Sequence, residues 1–203
     1  FREDKSVFLA IPEHMLESYK AVMRLCTVQT LKELERRSEK EEKPLLLILD
    51  EFARIGRVEG IFNALATLKS KKVMVMLAFQ SLAQIEVNYS KEEARVLTDN
   101  CRLKIICESS DPDSSKSVTA WAGKYRDKKE TLNGGKNRHK SYSYEDKDIV
   151  ETNDLITLTK KKEVILIISG IGYLRVEKCY YFLDETIKKL AEKVSSYNRQ
   201  FAR

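Results

Sequence analysis

Residues 45–52 read Leu-Leu-Leu-Ile-Leu-Asp-Glu-Phe. Five consecutive apolar residues between polar neighbours predict a strand buried on both faces, as in a parallel sheet. Such a strand delivers two adjacent carboxylates, Asp50 and Glu51, to its C-terminal edge, where ligands bind in open α/β sheets. Carboxylate oxygens suit a hard cation, so Asp50 is the candidate ligand of Mg²⁺, held through water. Glu51 is the candidate general base that polarises an attacking water. The structural alternative is an acidic helix start that complements the helix dipole. A second apolar run, residues 73–79, ends in Gln80-Ser81. An amide there could reach a γ-phosphate or the attacking water; the alternative is that Gln80 merely opens a helix.

The elements that must position these residues alternate. Residues 7–11, before Pro12, predict a short strand. Residues 13–40 carry apolar side chains at three- and four-residue steps, which predicts a helix. A helix follows Gly56 and Gly60, and others are expected over 81–86, 91–100, 111–122 and 152–158. Residues 102–107, 164–168 and 174–182 read as strands, the last two as a hairpin around Gly170-Ile171-Gly172. A final helix from Asp184 ends in a short tail. Pro112 after Asp111 occupies the favoured first helical position. The alternation predicts an α/β architecture with a mostly parallel sheet flanked by helices, in a single domain over residues 1–203.

Residues 124–147 break the pattern. They hold eight Lys or Arg against four Asp or Glu, with Tyr125, Tyr142 and Tyr144 and a single aliphatic residue, Leu132. This stretch cannot join a core and is expected as an exposed loop or hairpin turning at Asn133-Gly134-Gly135. Lys124, Arg126, Lys128, Lys129, Lys136, Arg138 and Lys140 could neutralise phosphates while the tyrosines stack on unpaired bases. The alternative is a solvated hairpin without a partner.

Composition excludes several classes. The chain has 203 residues, 42% hydrophobic and 33% charged, which describes a packed protein rather than a disordered one. A net charge of +6 permits an acidic partner without requiring one. No apolar run approaches the ~20 residues of a membrane span, and no signal peptide opens the chain. Four cysteines without a C-x-x-C pair argue against a disulfide or zinc scaffold. His14 and His139 alone cannot build a metal site. Trp121 and Cys101 read as packing residues.

A hydrophobic strand ending in Asp-Glu is the Walker B pattern of P-loop ATPases. With residues 45–86, then LTDNCRLKIIC, SSDPDSS and AGKY, the chain resembles the C-terminal part of the RecA-like ATPase domain of type IV coupling proteins of the TraG/TraD family. The family's LDEF-A-x-L-G is matched with Ile55 before Gly56. Its Q-S-x-x-Q-L is matched by Gln80, Ser81 and Gln84, with Ile85 at the Leu place. Asp99-Asn100-Cys101 and Ser110-Asp111-Pro112 match two further stretches; Gln80-Ser81 and Asp99-Asn100-Cys101 favour this family over chromosome-partitioning or DNA-packaging motors. The resemblance implies a partial RecA-like P-loop NTPase core with a C-terminal β-hairpin, working with ATP and Mg²⁺. Asp50 would hold the metal and, with Glu51 and Gln80, contact the nucleotide; Glu51 would activate water and Gln80 would sense the γ-phosphate. It implies a homo-hexamer at the cytoplasmic face of the bacterial inner membrane that feeds single-stranded DNA or protein substrates to a secretion channel. A TraM-like relaxosome protein or an effector is the implied partner.

The chain departs from the family in two places. None of its seven glycines builds the Walker A spacing GxxxxGK[ST]. The chain, which begins with Phe1, is therefore expected to be a soluble piece of a longer protein, inactive alone, with a sheet missing its phosphate-loop strand. Lys147-Asp148-Ile149-Val150 stands where the family often has R-P-L-L, and a lysine lacks the planar fork of an arginine. The rival reading is a non-catalytic docking domain for relaxosome or effector proteins.

Overall fold

The computed structural model describes residues 6–40, 43–132 and 140–201, which gather into two compact units divided between Arg102 and Leu103.

In the first unit a 3₁₀ turn, Glu13–Met15, leads into α1 (Leu16–Glu35). There follow β1 (Leu45–Leu49), α2 (Phe52–Ile55), α3 (Ile61–Thr67), a second 3₁₀ turn and β2 (Val73–Leu77). The unit closes with α4 (Leu82–Glu86) and α5 (Lys91–Asn100). β1 and β2 pair in parallel, with Leu45 opposite Val73 and Leu49 opposite Leu77. Because side chains alternate across a strand, Leu45, Leu47, Leu49, Val73, Val75 and Leu77 face the core built on Phe52, Ile61, Leu68, Ile85 and Leu97. The other face carries Leu46, Ile48, Met74 and Met76, which are 44–60% exposed. This corrects the expectation of strands buried on both faces: within this unit no described element covers that side. Residues 7–11 are not a strand either; Val7 and Phe8 are exposed, and no ladder partner exists for them among the described residues.

Gly56 ends α2 at φ +88°, a conformation that L side chains rarely adopt, and a Cβ there would stand 3.1 Å from Lys20 Cε. α5 opens on a capping box. Ser90 Oγ accepts from the Glu93 N–H at 3.1 Å, and Glu93 Oε2 accepts from the Ser90 N–H at 2.9 Å.

The second unit contains β3 (Leu103–Ile106), α6 (Pro112–Ala122), β4 (Lys124–Leu132) and β5 (Lys140–Asp148). It continues with α7 (Thr152–Lys161), β6 (Glu163–Ile168), β7 (Gly172–Glu177) and α8 (Glu185–Phe201). β3, β6 and β7 form an antiparallel sheet in that order, and α6 and α7 cover a core of Val118, Val150, Leu155, Leu158, Ile165 and Ile167. Among the described residues parallel pairing is confined to β1 and β2; β3 pairs antiparallel with β6, and the short connection between β6 and β7 makes a hairpin. The last strand ends at Glu177 rather than near residue 182: its partner begins at Glu163, just after the left-handed Lys162, so pairing stops there. Asp111 caps α6 by accepting from the Ser114 N–H at 2.8 Å; hydrogen bonds from the Ser114 side chain and then from its N–H hold the Asp111 carboxyl below the usual range. No helix among the described residues is long and apolar enough to cross a membrane.

Candidate active site

Asp50, Glu51 and Gln80 meet where β1 and β2 end. The parallel ladder continues beyond both strands: the Ala78 N–H donates to Leu49 O at 3.0 Å, and the Phe52 N–H donates to Ala78 O at 2.8 Å. Extended two residues, this register sets residue 51 beside residue 79, one position before Gln80. Glu51 turns the chain into α2 with φ 48° and ψ 42°, a left-handed conformation unusual for glutamate. Its N–H donates to Asp50 Oδ1 at 3.0 Å, so Asp50 is oriented by the turn it opens. Gln80 Nε2 donates to Glu51 Oε1 at 3.2 Å, whereas Glu51 Oε2 is buried and without a hydrogen-bond partner.

The turn is held from below. Phe52 is fully buried and stacks on Tyr89, with ring centroids 6.0 Å apart, while Phe62 meets the same ring edge-on. Tyr89 Oη accepts from the Val58 N–H at 2.9 Å, and burial pushes the phenol up despite that bond. Asn88 Nδ2 donates to Ala53 O at 2.7 Å, tying α2 to the segment after α4. The Arg57 guanidinium lies over Tyr89 and grips Glu93 through both oxygens, at 2.8 and 2.6 Å. That grip lowers the Glu93 carboxyl to about 2. Sequence reasoning did not single out this clamp, although the Ser90-x-x-Glu93 spacing announces its helix start.

No group of three or more Asp, Glu, His or Cys residues suited to a metal occurs among the described residues. What the strand ends offer is two neighbouring carboxylates with an orphaned buried oxygen. This oxygen-only set suits a hard cation whose remaining ligands are water and phosphate. His14 is exposed, and His139 lies outside the described residues.

The basic stretch forms the hairpin β4–β5. Its two strands carry six cations against five acids. Lys124 pairs with Asp148 at 3.5 Å, Arg126 with Asp146 at 3.7 Å and Lys129 with Glu145. Lys128 Nζ sits 3.7 Å from the centre of the Tyr142 ring. Lys140 begins β5, and Lys136 and Arg138 lie outside the described residues. Lys147, at the family's arginine place, bonds Asp127 at 2.5 Å; this raises the lysine and lowers the aspartate.

Known proteins resemble this chain. The profile of the family described as "Type IV secretory system Conjugative DNA transfer" matches residues 1–203. Protein VirD4 of Rhizobium radiobacter is 24% identical over 202 residues, covering 95% of this chain and 29% of the relative. The type IV secretion system-coupling protein VirD4 of Bartonella quintana is 23% identical over 193 residues, covering 92% of this chain and 30% of the relative. The chain therefore spans under a third of the length of these curated relatives. Among solved structures, the unbound bacterial conjugative coupling protein TrwB superimposes with a TM-score of 0.74 at 15% identity, covering 83% of this chain and 39% of the other. TrwB in complex with ADP and Mg²⁺ gives a TM-score of 0.66 at 16% identity, covering 81% and 37%. The fold is that of these coupling-protein structures, and the chain's own β6 and β7 form the expected C-terminal hairpin. With its whole length matched by the profile, the chain belongs to the type IV secretory system conjugative DNA transfer family.

Proposed function

We propose that residues 1–203 are the Walker B-bearing part of a coupling-protein ATPase that delivers DNA, or protein substrates, to a type IV secretion or conjugation channel. The observation that carries this reading is the meeting of Asp50, Glu51 and Gln80 at the C-terminal ends of two parallel strands. Asp50 would hold Mg²⁺, and Glu51 would take the proton of the attacking water on its unpartnered oxygen. Gln80 orients Glu51 and reaches the γ-phosphate side of the site. When bound, ATP would supply the scissile phosphoanhydride bond and Mg²⁺ would neutralise its phosphate charge. The phosphate cradle that this sequence lacks comes from an upstream segment of the same polypeptide, and the two units work as one ATPase domain. The native protein acts as a homo-hexamer at the cytoplasmic face of the inner membrane. Its partners are a TraM-like relaxosome protein or an effector, and single-stranded DNA follows the β4–β5 hairpin.

The test is Glu51→Gln in the native full-length protein. Nucleotide binding is retained and turnover is abolished if Glu51 is the base; turnover at the parent rate excludes it. A second reading, a docking domain without catalysis, draws support from the exposed Tyr125, Tyr142 and Tyr144 of the hairpin. Capture of the partner by this chain without nucleotide, together with unimpaired transfer by the Glu51→Gln protein, favours that reading.

A further inference from the structure

Gln84 binds Gln80 twice. Its Oε1 accepts from the Gln80 backbone N–H at 3.4 Å, and its Nε2 donates to Gln80 Oε1 at 3.2 Å. Gln80 Nε2 donates in turn to Glu51 Oε1. A side-chain amide has one donating and one accepting end. Occupying the accepting end of Gln80 from Gln84 leaves its donating end for Glu51. If the amide turned over, Gln80 would present an oxygen to a carboxylate and its NH₂ to the NH₂ of Gln84. Both contacts would be lost, so the three side chains form a relay with one internally consistent direction.

The local sequence builds the relay. Ser81 is the N-cap of α4, and its Oγ accepts from the Gln84 N–H at 3.4 Å. Gln84 is therefore at the third helical position, from which a glutamine or glutamate reaches back to the chain before the helix. A cap needs only the accepting end of that residue. Here the donating end is used as well, and it points along the chain of side chains toward Glu51.

We propose that Gln84 is a positioning residue of the site: it fixes the orientation of the Gln80 amide and, through it, the Glu51 carboxylate. This rests on the reading of Glu51 and Gln80 given above. Gln84→Glu separates the relay from the cap, because a glutamate still accepts from the Gln80 N–H but cannot donate to Gln80 Oε1. Gln84→Met removes both.

The chain holds four glutamines, at positions 29, 80, 84 and 200, so glutamine-selective ¹⁵N labelling yields a side-chain amide spectrum of four pairs. The relay requires that both variants move the Gln80 amide resonances, and that Glu51→Ala moves them too. Gln80 resonances unchanged in Gln84→Glu would reduce Gln84 to a cap and overturn the proposal. In the native full-length protein, Gln84→Glu lowers kcat on the order of 10- to 100-fold with nucleotide affinity and melting temperature retained. In a Gln80→Ala background the same change has no further effect, because the relay is already cut. Full additivity of the two changes overturns the proposal. Parent-like turnover of Gln80→Ala and Glu51→Gln would instead sink the underlying functional reading, with the Gln80 spectrum still deciding whether the relay exists.

Discussion

Glu51 occupies a backbone conformation that costs an L-residue roughly 1–2 kcal/mol. A glycine would adopt φ 48° freely, so the local fold alone would favour glycine there. The glutamate persists because the turn is fixed on both sides, by the ladder to Ala78 and by buried Phe52. Strain held at a residue aimed into a site is expected of functional positions. Glu51→Gly should therefore raise stability by up to about 1 kcal/mol while abolishing turnover, a trade measurable by urea unfolding beside an ATPase assay. A stability loss would show that the Gln80 contact outweighs the strain. Phe52→Ala removes the anchor and should cost about 3–5 kcal/mol of unfolding free energy. A loss below ~1 kcal/mol would mean that the pocket between Tyr89 and Phe62 collapses to fill the space.

Among the elements, the Arg57–Glu93 clamp makes a pH prediction. The Glu93 carboxyl falls to about 2 from an ordinary value of 4.5 because Arg57 donates to it and the Ser90 N–H adds a second bond. A depressed acid contributes stability in full above its unfolded value and loses it as pH falls through the folded one. The urea midpoint should thus decline between about pH 4.5 and pH 2, and Glu93→Gln should flatten that part of the profile. Equal slopes in the two proteins would show that the clamp is not coupled to folding. Glutamine keeps the capping-box acceptor, so the difference isolates the charge. Caps also explain what could be read ahead of the structure. Asp111 before Pro112, Ser81 before Gln84 and Ser90 before Glu93 announce their helices through chemistry confined to a few residues. Asp50 and Glu51 were legible at the end of their apolar run for the same reason. The Tyr89–Val58 bond and the Arg57–Glu93 grip join residues more than thirty positions apart, and no local pattern records them. Residues 7–11 failed as a strand because a short apolar run says nothing about whether a partner strand exists.

For the molecule as a whole, the hairpin is the element whose role depends most on solution conditions. Neutralising Lys128, Lys129 and Lys136 together should weaken single-stranded DNA binding and flatten its salt dependence by up to about 0.7 for each lost phosphate contact. Unchanged affinity together with an unchanged slope removes the hairpin from the DNA footprint. The register gives that experiment a further consequence. Lys124, Arg126 and Lys129 already hold Asp148, Asp146 and Glu145 across the strands. A phosphate that reaches one of these cations must evict a carboxylate of the same hairpin. Eviction swaps one anion for another, so few bound salt ions are released at those positions. The strands then resemble a closed zipper whose teeth part to admit a guest, and a DNA strand moving along it would leave each pair free to close again behind it.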